Sequence, residues 1–422
     1  MSIPLDRLYC FIENIAQKIY NDPIVIYRFY PHGSKKIEDL SAHKTSSHKI
    51  AISSPKVFCY DQEPLNFDLY TQGDNNIYRG IIKKYQIPTK EYNIDAQSPH
   101  NIYDNAILIH SEQRSSNLKK YTQNEFIPVY YWSHAIIALD WFRFAQHVSQ
   151  QKQIKKTFLI YNRAWCGTRE YRLYFIELLL RLNLQEYCQT TFNPVEPELG
   201  IHYDQHQFDN PMWRPTYTLE NYFPINNAHS HYSADFDLND YTATDIEVVL
   251  ETLFDDERLH LTEKSLRPIA CGQPFILAGT HGSLEYLRSY GFKTFGNIWD
   301  ESYDDIEDSE ERLIKIAESM KQIANWTPRV REANIAKATA VADYNKKHFF
   351  SEEFFNLVIN ELQTNLKLGL EQLENINTSQ RWCAVHTQLL KIQEYKKSRM
   401  FFGITRDEMA SVLRKARKYH RG

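Results

Sequence analysis

The six cysteines of this 422-residue chain, at 10, 59, 166, 188, 271 and 383, never form a C-x-x-C pair. That argues against a zinc site or a disulfide framework and fits a reducing compartment. No apolar run approaches the roughly 18 residues that a membrane span needs, and the N-terminus lacks the basic-then-apolar plan of a signal peptide. A soluble, cytoplasmic protein is expected. The net charge of −4 gives no global pull toward polyanions. Neither the phosphate loop G-x-x-x-x-G-K-[ST] nor G-x-G-x-x-G is present, which lowers the odds of a kinase, an ATPase or a hydride-transfer enzyme. What remains is a chain that is 42% apolar and long enough to bury two cores of ordinary domain size.

Strand and helix signals alternate. Apolar runs at Pro23–Tyr30, Lys56–Tyr60, Ala106–His110 and Phe126–Tyr131 read as four strands buried on both faces. The polar stretch Gln150–Lys156 then precedes a fresh strand, Thr157–Tyr161, so a hinge is expected there. The second half repeats the plan: a helix from about Thr168 to Leu182, a strand Ile246–Leu250, a helix after Thr262, a strand Phe275–Leu277, a helix Ser283–Tyr290 and a strand Phe292–Phe295. The segment from about Thr190 to Tyr241 reads as long loops. From Ser309 onward the chain turns helical, with apolar spacing that suits packing across the junction.

Residues 259–287 carry the most chemistry. Thr262 opens a helix, Gly272 stops it, and Pro274 forbids its continuation. Glu263 and Lys264 therefore stand at a helix start, where exposed N–H groups and the dipole favour an anionic ligand. Lys264 can add a charge-assisted contact to phosphate, and Glu263 can accept from ribose hydroxyls. An ordinary helix start with a solvated lysine is the alternative.

This segment resembles the T-E-K donor-site motif of GT-B nucleotide-sugar glycosyltransferases, most closely that of alpha-1,3-fucosyltransferases. Further pieces resemble a family of uncharacterised phage and bacterial proteins judged glycosyltransferase-like: Asp61-Gln62-Glu63-Pro64, His110-Ser111-Glu112, Tyr131-Trp132-Ser133-His134, Asn162-Arg163, Thr262-Glu263-Lys264 and Gly291-Phe292-Lys293-Thr294-Phe295. The second resemblance covers most of residues 24 to 310, the first little beyond one segment, so the donor sugar is not carried over. The resemblance implies an α/β, GT-B-like fold: two doubly wound Rossmann-like domains facing across a cleft, followed by C-terminal helices. Residues 1–150 would form the acceptor-side domain, 157–346 the nucleotide-sugar domain, and 347–422 a helical extension.

Candidate site residues follow at the predicted strand ends, where open parallel sheets bind ligands. Glu63, held extended by Pro64, and His134 are the candidates for the base that deprotonates an acceptor hydroxyl, with Asp61 beside them. Glu112 and Trp132 are candidates for acceptor binding. A hydrogen-bonded turn carboxylate and a buried core histidine are the alternatives for Glu63 and His134. Asn162, Arg163 and Arg169 join Thr262, Glu263 and Lys264 on the donor side, because guanidiniums bind phosphate in a bidentate fork. Arg172, in the same helix start as Arg169, is the third guanidinium of this cluster, with a surface pair to Asp or Glu as the alternative. Such cations can replace a divalent ion, so neither metal nor cofactor is expected, and the nucleotide sugar enters as co-substrate. Asp235-Phe236-Asp237 matches the metal-binding D-x-D of GT-A enzymes but follows no apolar strand. The histidines at 202, 206, 229 and 231 show no four-ligand pattern. The tail 391–422 holds ten Lys and Arg against three Asp and Glu, a net +7, and would suit DNA or an anionic surface; a solvated helix end is the alternative. The acceptor stays open between a modified DNA base and a cell-surface glycan.

Overall fold

The computed structural model describes residues 25–29, 56–60, 106–111, 128–147, 151–197, 199–221 and 236–397, with side chains up to 375 where burial is assigned, and single helical positions between 8 and 19. Two parallel sheets organise it. The first has the order β1-β2-β3-β4, formed by Val25–Phe29, Lys56–Tyr60, Ala106–His110 and Val129–Tyr131. The second has the order β6-β5-β7-β8, formed by Lys156–Asn162 (β5), Cys188–Phe192 (β6), Thr244–Leu250 (β7) and Phe275–Ala278 (β8). The strands of a parallel sheet are covered on both faces, so they read as continuous apolar runs. All seven residues of β7 and all four of β8 are buried.

The strand order of the second sheet reverses between β5 and β7, which makes a switch point. Their pairing runs from Lys156↔Thr244 to Leu159↔Glu247. β5 continues to Asn162 and β7 to Leu250, so their pairing stops short of their carboxyl ends.

Among the described residues the helices are, in chain order, α1 (Ala135–Trp141), α2 (Tyr171–Arg181), α3 (Leu238–Ala243), α4 (Glu263–Cys271), α5 (Ser283–Ser289), α6 (Ser309–Ala324), α7 (Pro328–Phe349) and α8 (Glu352–Lys397), besides the single helical positions between 8 and 19. α1, of the first half, packs on α4, of the second. α8 returns to the first half and lies on β3, β4 and α1. Its buried stripe is Phe354, Val358, Leu362, Leu366, Leu370 and Leu373, the three- and four-residue spacing of one helix face. Gly369 belongs on that face because a Cβ there would stand 3.2 Å from the Tyr130 ring. Asn365 donates to the Tyr131 carbonyl at 2.8 Å. Glu361 accepts from Tyr131 at 2.7 Å and from Tyr290 at 2.6 Å, fastening both halves to one helix. The expected packing of the late helices across the junction is found for α8, whereas α6 packs on α2 and β8 of the second half.

Two expectations are corrected. Phe292–Phe295 is not a strand; Asn345 of α7 clamps Lys293 through both its N–H and its carbonyl, at 2.8 Å each. The Thr190–Tyr241 loops include most of β6, three short 3-10 turns and α3. Ahead of β5, Lys152 donates to the carbonyls of Tyr241 (2.7 Å) and Thr244 (3.1 Å).

Candidate functional site at the meeting of the two sheets

α4 begins as expected. The Thr262 hydroxyl accepts from the Lys264 amide at 3.2 Å, and Gly272, at φ 70°, takes the left-handed turn that ends the helix. What fills its N-terminus was not expected. Glu251, fully buried one residue past β7, places Oε1 on the amides of Thr262 (3.0 Å) and Ser265 (3.2 Å) and on the Ser265 hydroxyl (2.6 Å). Its Oε2 accepts from the Thr262 hydroxyl at 2.8 Å and the Thr252 amide at 3.1 Å. The positive end of α4 thus already holds an anion, the protein's own. The expectation that these amides stand open to a ligand diphosphate is corrected for Thr262, Lys264 and Ser265, whose amides are taken by Glu251 and the Thr262 hydroxyl.

Glu263 and Lys264 lie just outside the cap. Lys264 Nζ reaches Glu263 Oε1 at 2.8 Å and keeps part of its surface exposed. The other oxygen of Glu263 faces the first half, 3.8 Å from His134 Nδ1. The carboxyl ends of the two sheets meet here: β3 contributes His110 and Ser111, the turn after β4 contributes Trp132 to His134, and the second half contributes His260 and Glu263. His260 Nδ1 donates to the Ser111 carbonyl at 3.0 Å. His134 stacks on Trp132 at 5.1 Å and meets His260 edge-on at 5.6 Å.

Burial sets the charge of these imidazoles. It pushes His134 down to about 4; Glu263 pulls upward, His260 and Lys264 push further down, and Glu251 pulls up. Burial pushes His110 down to about 3, helped by His260 and Arg258. Both rings are neutral at pH 7, free of a proton on one nitrogen. Trp132 is 0% exposed, and its expected role as an open stacking platform for an acceptor is corrected: its face is taken by His134.

On the donor side, Asn162 ends β5 and Arg163 follows it. The Asn162 backbone amide donates to the Thr191 hydroxyl at 2.9 Å, while its buried side-chain amide has no hydrogen-bond partner among the described residues. Arg163 and Arg169 are half-exposed. Both expectations for Arg172 are corrected: it is neither open to a diphosphate nor paired on the surface, but a buried strut. It donates to the carbonyls of Ala164 (2.6 Å), Leu250 (2.7 Å) and Glu251 (3.0 Å), tying together the ends of β5 and β7.

Asp61, Glu63, Glu112 and Asp235 lie outside the described residues, as do His229, His231 and most of the basic tail. Asp237 caps α3 by accepting from the Asn239 amide at 2.9 Å. His202 bonds Glu220 at 3.0 Å and His206 bonds the buried Glu170 at 2.7 Å. Among the described residues no group of three or more His, Cys, Asp or Glu is arranged to hold a metal ion, and no helix is long and apolar enough to cross a membrane. Two open grooves lie away from the junction: one of about 740 Å³ between the start of β5 and Arg331 of α7, one of about 680 Å³ around Lys293 and Asp300.

Sequence reasoning missed Glu251 and His260. A charged residue directly after the apolar run Val248–Leu250 is the signal that could have drawn attention to Glu251. Comparison of the chain with protein-family models, curated proteins and solved structures finds no match to any of them.

Proposed function

We propose that this chain is a nucleotide-sugar-dependent glycosyltransferase of GT-B architecture. The observation that carries the reading is the junction itself: the carboxyl ends of two parallel sheets meet, with Lys264 beside Glu263 on the second half, and Arg163 follows the carboxyl end of β5 in that half. Ligands of open parallel sheets bind at such ends. Lys264, Arg163 and Arg169 would hold the donor diphosphate and neutralise it as the glycosidic bond breaks, with Asn162 beside them. Cations in that role make a divalent ion unnecessary. The first half would present the acceptor hydroxyl, of a modified DNA base or a cell-surface glycan, and supply the base from Glu63 or His134. A nucleotide sugar as co-substrate fits a cytoplasmic protein.

A thermal-shift screen over uridine, guanosine, cytidine and thymidine diphosphates tests the reading, because a ligand at about a hundredfold its dissociation constant adds roughly 2.7 kcal/mol. No shift with any of the four removes it. The sealing of Trp132 and His134 favours a second reading, a binding protein of the same fold without turnover. A transferase slowly hydrolyses its cognate nucleotide sugar; a binding protein releases it intact.

A further inference from the structure

His260 shows how a packing histidine behaves at this junction: one ring nitrogen donates to a main-chain carbonyl at 3.0 Å. His134, its neighbour, does not. Although 1% exposed, neither of its ring nitrogens has a hydrogen-bond partner among the described residues. Leaving a buried imidazole unsatisfied costs free energy, and sites of that kind ask what completes them. The ring is nonetheless held in place, stacked on Trp132 and bordered by His260. The nearest charge to Nδ1 is Glu263 Oε2, at 3.8 Å. That is too long for a direct hydrogen bond but within the distance over which a carboxylate favours the proton on the nitrogen facing it.

We propose that Glu263 is the positioning partner of His134: its carboxylate holds the ring proton on Nδ1 and leaves Nε2 bare as the base for the acceptor hydroxyl. His134 is then the catalytic residue and Glu263 acts through it, instead of holding the donor ribose. The pair draws one member from each half, so the base is oriented only when the halves are together. A catalytic hydrogen bond that is long without substrate and tightens when substrate binds is ordinary behaviour.

The acceptor step rests on the glycosyltransferase reading. In it, the acceptor O–H gives its proton to His134 Nε2, and the oxygen's electron pair forms the new bond to the anomeric carbon. The bond from that carbon to the diphosphate oxygen breaks, and the nucleoside diphosphate leaves with its electrons, held by Arg163, Arg169 and Lys264. The imidazolium returns its proton to solvent. One such displacement inverts the anomeric centre.

The test uses the full chain as wild type, Glu263→Gln, Glu263→Asp and His134→Gln. Imidazole ¹⁵N spectra at pH 7 are expected to show His134 protonated on Nδ1, with Glu263→Gln moving the proton toward Nε2. A wild-type ring protonated on Nε2, or nitrogen shifts indifferent to Glu263→Gln, overturns the pair whether or not any donor turns over. Hydrolysis is then followed with UDP-glucose, GDP-mannose, GDP-fucose and dTDP-glucose, alongside calorimetric binding of the corresponding diphosphates. For the donor used, Glu263→Gln is expected to lower kcat about tenfold to a hundredfold at unchanged diphosphate affinity, Glu263→Asp to restore part of it, and His134→Gln to lower kcat by about 10²–10⁴. Weakened diphosphate binding at unchanged kcat returns Glu263 to the ribose and overturns the assignment. A product with retained anomeric configuration overturns it as well. If the nitrogen spectra show the pair and none of the four donors turns over, the transferase reading falls and the acceptor step falls with it.

Discussion

The Glu251 carboxylate receives Thr262 twice, the amide on one oxygen at 3.0 Å and the hydroxyl on the other at 2.8 Å. The helix start that suits a ligand phosphate is in this way closed by an internal anion eleven residues upstream. A buried carboxylate surrounded by donors stabilises; removing it strands the donors. Glu251→Ala is expected to cost about 3 kcal/mol or more, and Thr262→Val, which deletes a cap and one bond to Glu251, about 1–2 kcal/mol. Urea denaturation measures both. A Glu251→Ala protein as stable as the wild type would show that this cap contributes nothing.

With the amides of Thr262, Lys264 and Ser265 occupied, the proposed diphosphate site relies on side chains. Charge-assisted hydrogen bonds contribute about 1.5–3 kcal/mol each, so Lys264→Ala and Arg163→Ala should each weaken nucleoside diphosphate binding about tenfold to a hundredfold. Calorimetry with the diphosphate that gives the largest thermal shift decides. Unchanged affinity in both folded variants takes the donor site away from this end of the sheet.

What the sequence makes legible here is local. Thr262, Gly272 and Pro274 bound α4 because capping and left-handed termination depend on a few adjacent residues. The buried strands β5, β7 and β8 announce themselves as apolar runs. β6, with Gln189, Thr190 and Thr191 in its five residues, does not, because its alternation is short and its polar positions are half-exposed in part. Phe292–Phe295 is apolar enough for a strand, yet the Asn345 clamp, contributed from 52 residues away, satisfies its backbone instead. The roles of Glu251, Arg172 and Trp132 are set by partners the fold brings in from elsewhere in sequence, and no spacing rule reaches them. His134 was legible as a candidate; its facing Glu263 was not.

The D-x-D match makes a separate prediction. Asp237 is engaged as the cap of α3, and the donor site is proposed to use arginine and lysine in place of a cation. Nucleotide-sugar hydrolysis should therefore survive excess chelator, and Asp237→Ala should cost about 1 kcal/mol of stability as a lost N-cap without creating or removing metal dependence. Activity lost on chelation and restored by manganese or magnesium would transfer the diphosphate to a metal site.

The buried histidines predict how the fold answers acid. In the unfolded chain a histidine takes its proton near pH 6.5, whereas His110 and His134 hold out to about 3 and about 4. Between those values the unfolded chain binds more protons than the folded one, so stability is kept above the unfolded value and lost as the pH falls toward the folded values. Each ring contributes a loss of about 1.4 kcal/mol per pH unit in that window. The carboxylates of Glu263 and Glu251 oppose the effect at His134, while His260 and Lys264 reinforce it there and His260 and Arg258 reinforce it at His110. Carboxylates elsewhere add their own slope, so the informative quantity is the difference between proteins. Urea denaturation of wild type and His134→Gln at pH 7, 6 and 5 should give a shallower loss in the variant, by about 1.4 kcal/mol for each unit below 6.5. Parallel slopes would mean that His134 takes its proton in the folded protein as readily as in the unfolded one, and that the junction between the two sheets is open to water.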